Sequence, residues 1–162
     1  MKPLRYLIIH CTASPGGRDI TAADIIRWHT SPPPLGRGWS RVGYSDLIRL
    51  DGSLVNLRDF NQNDSVESDE YTFGDIGKNE VSRHIVYAGG CDSHMRPKDT
   101  RTPEQNAALT DYVRFMVRRH PAISIAGHYH FARKACPGFD VQAWLIVHNN
   151  KNENADSRNS NQ

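Results

Sequence analysis

The 162-residue chain predicts an α/β fold: a single domain with a central mixed β-sheet flanked by helices. Three observations carry that expectation. Short apolar runs alternate with amphipathic ones, one strong hairpin signal interrupts them, and two helix starts carry capping residues. No internal repeat is visible. With 38% hydrophobic residues, a chain of this length can build one core without disulfide staples.

Arg5–Cys11 reads as a buried strand of aromatic and β-branched residues, stopped by the turn cluster Ser14-Pro15-Gly16-Gly17. Thr21 then opens a helix, with Asp24 at the third helical position in place of the usual Glu and Ala22, Ile25, Ile26 and Trp28 as the apolar set. Pro32-Pro33-Pro34 forbids helix and demands an extended surface loop up to Gly38. Val42–Leu50 reads as the second strand, returned by Asp51-Gly52 through Leu54–Leu57. The polar stretch Asn61–Tyr71 has no period and reads as a loop, with Asp64–Glu70 as a solvated acidic run. His84–Ala88 is another strand, stopped by Gly89-Gly90.

Thr102-Pro103-Glu104-Gln105 is a full helix start, with a cap, a proline at the first position and Gln three residues after the cap. That helix runs to about His120 with Leu109, Tyr112, Val113, Met116 and Val117 on one face. Ile123–Ala126 reads as a last short strand, and Asp140 caps a final helix through Val141, Trp144, Leu145 and Val147. From Asn149 onward the chain is Asn-rich with nothing apolar beyond Ala155. The expected division is therefore a domain over 1–148 and a disordered tail over 149–162.

Charge and composition exclude several classes. Twenty Lys and Arg against 18 Asp and Glu give a net charge of +2, without the clustering a nucleic-acid partner requires. No apolar stretch approaches a membrane span, so no membrane segment is expected. The N-terminal run Tyr6–Ile9 ends at His10 and is too short for a secretory signal, so cytoplasmic synthesis without a signal peptide is expected. Three cysteines, an odd number, point to reduced thiols or a metal ligand.

The chemistry-bearing residues sit at strand ends. His10 closes the first strand, and Gly127-His128-Tyr129-His130 follows the last, leading to Lys134-Ala135-Cys136-Pro137. Neighbours on a strand point to opposite faces, so either His10 or Cys11 enters a shared site, not both. Catalytic zinc takes three protein ligands from His, Cys and carboxylate and keeps a fourth position open. His10, His128 and Cys136 could supply two imidazoles and a thiolate. By spacing alone, a hydrogen-bonded structural His and a small buried Cys are the commoner readings.

Several segments, in order, resemble the zinc-dependent N-acetylmuramoyl-L-alanine amidases of the bacteriophage-lysozyme type, relatives of the peptidoglycan recognition proteins. They are Ile8-Ile9-His10-Cys11-Thr12-Ala13-Ser14, Ile26-Arg27-Trp28-His29, Gly38-Trp39 with Val42-Gly43-Tyr44, and Asp51-Gly52-Ser53-Leu54-Val55. Ala88-Gly89-Gly90, Thr102-Pro103-Glu104-Gln105, Gly127-His128 and Lys134–Asp140 complete the set. The resemblance spans Arg5 to Leu145. It implies one zinc ion held by His10, His128 and Cys136, with Tyr44 and Lys134 as catalytic groups and peptidoglycan as substrate. It implies hydrolysis of the amide between the lactyl group of N-acetylmuramic acid and L-alanine. Without a signal peptide, an endolysin released at lysis is the expected setting, and a monomer the expected state. Ser45-Asp46 depart from the family's His and aromatic after the tyrosine, and the triproline loop and Asn61–Tyr71 are peculiar to this chain, so substrate contacts do not transfer.

Three rivals are set against this reading. The first is a peptidoglycan-binding module of the same fold, which the presence of Cys136, Tyr44 and Lys134 opposes. The second is a thiol hydrolase using Cys136 with His128 as base. The third is a copper site, which would need a weak axial ligand such as Met95 or Met116. His29 reads as a helix-end or packing residue, and Tyr129 and His130 as possible substrate or supporting contacts. His84, His94, His120 and His148 read as structural or exposed.

Overall fold

The expected mixed sheet forms, and the strand signals far apart in sequence become its neighbours. A computed structural model describes residues 1–148. The Asn-rich stretch 149–162, expected to be a tail, lies outside the described residues. The elements in chain order begin with β1 (Lys2–Pro3), β2 (Tyr6–Cys11), β3 (Ser14–Pro15), α1 (Ala22–Thr30), β4 (Asp46–Ile48) and β5 (Leu54–Asn56). β6 (Ser65–Val66), β7 (Ser82–Tyr87), β8 (Gly90–Cys91), α2 (Pro103–Arg119), β9 (Ser124–Gly127) and a last helix, α3, at 141–148 follow. The main sheet has the order β5-β4-β7-β2-β9, with β5 antiparallel to β4 and the other pairs parallel. β1 pairs with β6 and β3 with β8 in two small ladders.

The central position of β2, between two parallel partners, explains its unbroken apolar run. Its alternation decides which side each residue serves. Leu7, Ile9 and Cys11 join the large core with Leu109, Tyr112, Val113 and Met116 of α2 and Val141 and Trp144 of α3. The other face holds a smaller core, Leu47, Val86 and Ala88 against Ile20 and Ile25, and it is there that α1 packs. His10, one residue out of phase with Ile9 and Cys11, belongs to that second face.

Both helix starts have reciprocal caps. The Thr21 hydroxyl accepts from the Asp24 amide, and the Asp24 carboxylate accepts from the Thr21 amide at 3.0 Å. Thr102 and Gln105 repeat the arrangement at α2. Each cap contributes about 1 kcal/mol. The Asp51-Gly52 turn forms as expected, with Gly52 at φ +82°, a conformation open to glycine at no steric cost.

Four expectations need correction. The strand expected over Val42–Leu50 is paired only at Asp46–Ile48. Upstream, the Gly43 amide donates to the His29 ring and Val42 O accepts from the Phe73 amide, so this backbone serves α1 and a loop rather than a ladder. The acidic run is not wholly solvated: Glu70 is buried and takes hydrogen bonds from the amides of Asn61 and Glu67 and from Arg83 at 3.0 Å. Ile26 is 46% exposed, because α1 buries the stripe through Ile25 and His29 and the next residue is turned about 100° away. Val117 is likewise 42% exposed, one residue past the buried Met116.

Candidate metal centre and cleft

Strand parity sends the His10 ring to the α1 face and the Cys11 side chain into the α2 core, which settles the choice left open by the sequence. β9 ends at Gly127, and the backbone turns at once into a single 3-10 turn, His128–His130, with His128 buried. The Tyr129 amide donates to the Cys136 carbonyl at 3.0 Å, which ties that turn to the segment carrying the thiol. The Cys11 amide donates to Cys136 Sγ at 3.3 Å and fixes the sulfur beside β2. One ligand atom each from His10, His128 and Cys136 therefore falls within 4.8 Å of the other two.

That spacing suits a metal. Ligands at zinc-like bond lengths in a tetrahedron stand about 3.5 Å apart, and His10 Nδ1 lies 3.7 Å from Cys136 Sγ. The donor set, two imidazoles and a thiol from β2, the 3-10 turn and the following loop, fits a zinc site with an open position. The protonation state of the two imidazoles supports it. Burial, reinforced by His84 and His128, holds His10 well below its ordinary range, and burial with the Lys134 charge brings His128 down to about 4. Both rings are neutral, the form that ligates. Contact with Cys11 and then burial push the Cys136 thiol up.

A cavity of about 380 Å³ opens beside the triad, walled by His29, Trp39, Tyr44, Asp75, His128 and Lys134. The Tyr44 ring centre is 5.1 Å from that of His10, and burial raises its hydroxyl's pKa so that it remains a donor. Lys134 is exposed at the cavity edge. Asp75 is buried, with Oδ1 3.8 Å from His128 Nε2 and Oδ2 without a hydrogen-bond partner among the described residues. Burial pushes its carboxyl up, against the pull of Lys134 and Lys78.

Three of the groups here make contacts that the sequence did not show, and one of them was not singled out at all. His29 is a wall of the cleft: its Nδ1 accepts from the Gly43 amide at 3.0 Å, and burial with Arg37 brings it down to about 4. The signal was its position four residues after Ile25, on the buried stripe of α1. His84 lies fully buried behind His10, with the parity of Val86 as its only sequence cue. Asp75, in a loop with no period, left no cue. The remaining histidines stay outside. His94 is exposed, His120 pairs with Asp64 at 2.7 Å, and His148 bonds Trp144 O and Asn106. His130 turns back to Gly127, and the Tyr129 hydroxyl accepts from the Val141 amide at the start of α3. Met116 is packed in the α2 core and Met95 is 57% exposed.

Comparison with known proteins agrees with the geometry. The family model for N-acetylmuramoyl-L-alanine amidase matches residues 1–139. The chain belongs to this family. It is 33% identical over 137 residues to an endolysin of Enterobacteria phage K11, a match covering 85% of this chain and 82% of the relative. Among solved structures, the amidase LysC from Clostridium intestinale shares the fold with a TM-score of 0.69 at 19% identity, covering 91% of this chain and 87% of that one. Drosophila PGRP-LB gives a TM-score of 0.65 at 24% identity over 85% of this chain and 76% of its own. An amidase fold was expected from the sequence motifs, and the family and its fold are the ones found.

Proposed function

We propose that this amidase is a zinc-dependent endolysin that hydrolyses the bond between the lactyl group of N-acetylmuramic acid and L-alanine in peptidoglycan. The observation that carries the reading is the convergence of the His10, His128 and Cys136 donor atoms at the wall of a cleft that also holds Tyr44 and Lys134. Zinc bound by that set would lower the pKa of a water toward about 7 and polarise the scissile carbonyl. Lys134, cationic and at the cleft edge, is placed to neutralise negative charge growing on the carbonyl oxygen. Tyr44, protonated across the working pH range, offers a hydrogen bond that orients the attacking water or the same oxygen. His29 and Trp39 wall the cleft on the α1 side.

The rivals have less support. A thiol hydrolase with His128 as base needs that ring hydrogen-bonded to the sulfur, whereas the imidazole nitrogen at Cys136 Sγ, 3.7 Å away, is His10 Nδ1. A pure binding module has no use for a converged ligand triad. One chain carries every group named, which supports action as a monomer. Endolysin relatives in phages support release to the wall at lysis, and among the described residues no helix is long and apolar enough to cross a membrane. The domain reading, a zinc amidase domain over 1–148 followed by an Asn-rich segment over 149–162, belongs to the same proposal.

The test is metal-free protein, with and without added zinc, on purified cell wall, followed by mass spectrometry of the soluble products. Release of intact stem peptides with L-alanine at the free amine is expected only after zinc is restored. Chelator-insensitive release that thiol alkylation blocks would overturn the metal reading in favour of the thiol hydrolase.

A further inference from the structure

His84 is fully buried near the centre of β7. Its side chain makes one hydrogen bond among the described residues, 2.9 Å from Nδ1 to Nε2 of His10, and its own Nε2 has no partner. The parallel register sets Ile8 opposite His84, so His10 follows on the same face of the neighbouring strand. Space for the ring comes from Gly74. A Cβ there would lie 2.3 Å from His84 Nδ1 and 2.7 Å from the Gly43 carbonyl oxygen. No side chain larger than hydrogen fits beside the contact.

Two neutral proton arrangements satisfy the pair. In one, His10 donates from Nε2 to His84 Nδ1, which leaves His10 Nδ1, the nitrogen 3.7 Å from Cys136 Sγ, with its lone pair free. In the other, His84 donates, and the His10 proton sits on Nδ1, where a metal would have to be. A histidine that ligates a metal gives its other N–H to an acceptor, and that acceptor fixes tautomer and ring orientation. His128 has a looser counterpart, since its Nε2 stands 3.8 Å from Asp75, beyond a hydrogen bond.

We propose that His84 is the positioning residue for His10: it accepts the Nε2 proton and so commits Nδ1 to the metal. The proposal rests on the zinc reading above and deepens it. Gly74 is part of the same device, because it lets the acceptor ring approach.

The experiment measures zinc affinity by competition with a chromophoric chelator, together with the histidine tautomers by nitrogen-15 NMR of the zinc-loaded protein. Wild type is expected to show His10 protonated at Nε2 and hydrogen-bonded to His84 Nδ1. His84→Leu, which fills the space without an acceptor, is expected to lower zinc affinity about 10–100-fold. His84→Asn, whose Oδ1 can stand where Nδ1 stood, is expected to recover most of that loss, which a purely structural role would not predict. Gly74→Ala is expected to weaken zinc binding by displacing the ring. Wild-type affinity in His84→Leu, or a His10 proton found at Nδ1 in the loaded wild type, overturns the proposal. If the variants do not fold, the wild-type tautomer alone decides it. Failure of wild type to take up zinc at all would instead sink the zinc reading.

Discussion

The two faces of the central sheet bury polar groups in opposite ways. On β7, Arg83 points toward the α2 side and His84 toward the α1 side. Arg83 is 1% exposed and is neutralised by Glu70 at 3.0 Å, whose carboxylate is further held by two backbone amides. Its face carries the large core under α2 and α3. His84 meets only another neutral ring, and its face has a small core, an open cleft and a converged donor set that a metal would complete. One face has its buried charge balanced from within the chain. Both faces leave polar atoms without a hydrogen-bond partner among the described residues, Arg83 Nε and Nη1 on the one and His84 Nε2 on the other. What sets the second apart is that its neutral imidazoles and a thiol gather beside a cleft. The comparison implies a dissociation: changes on the site face should cost activity with little stability, and changes on the core face the reverse.

The largest effect tests the site face. Cys136→Ser removes the thiolate, and activity on purified wall should fall by about 10³-fold or more, the scale of several kcal/mol of lost transition-state stabilisation. The melting temperature of the metal-free protein should move little, because serine is close to cysteine in size and its hydroxyl oxygen can still accept from the Cys11 amide. A large drop in metal-free stability would break the dissociation. On the core face, Glu70→Ala leaves Arg83 buried and unpaired, and should cost about 3–5 kcal/mol in denaturant unfolding while specific activity of the folded fraction holds. The acid limb sharpens this. Burial raises the Glu70 carboxyl, but the amides of Glu67 and Asn61 and the Arg83 guanidinium outweigh it, so its net pKa is lowered. Its contribution is then complete above the ordinary value near 4.3 and is lost as pH falls through the folded one. In Glu70→Gln that acid-dependent loss should shrink, as measured by unfolding at stepped pH between about 5 and 2.

Next in size, Lys134→Ala should lower kcat about 10²–10³-fold, as loss of a group facing a developing oxyanion does. Zinc uptake should be retained, since Lys134 donates nothing to the metal. Equal losses in zinc affinity and turnover would move Lys134 from catalysis to assembly of the site.

How much of this was legible in the sequence follows the same division. Local rules reached the caps at Thr21 and Thr102, the Asp51-Gly52 turn and the strand cores of β2 and β7, because each depends on residues within a few positions of one another. The family motifs pointed to His10, His128 and Cys136, and the structure brings those three together. Glu70 and Arg83 lie 13 positions apart, and nothing local distinguishes that glutamate from its solvated neighbours. His84 and His29 were legible as structural and helix-end residues but their partners were not, because an isolated histidine on an apolar stripe reads the same whether it meets a core or another imidazole. Asp75 and Gly74 sit in an aperiodic loop whose meaning comes from the strands it crosses.

The smallest effect separates the faces most finely. Thr21→Ala and Thr102→Ala each remove a reciprocal cap, and each should cost about 1 kcal/mol of stability. Their functional outcomes should differ. α2 has its cap tied to the Leu50 carbonyl through Thr102 and faces the large core, so its loss should leave turnover unchanged at temperatures where the protein is folded. α1 ends within a turn of His29, whose ring holds the Gly43 amide next to Tyr44 and walls the cleft. Loosening α1 should therefore let Gly43 and Tyr44 drift and lower kcat/KM by a few-fold, roughly the scale of 1 kcal/mol. Equal turnover in the two variants would mean that the wall of the cleft is held by β4 and the 71–74 loop, with α1 contributing packing alone.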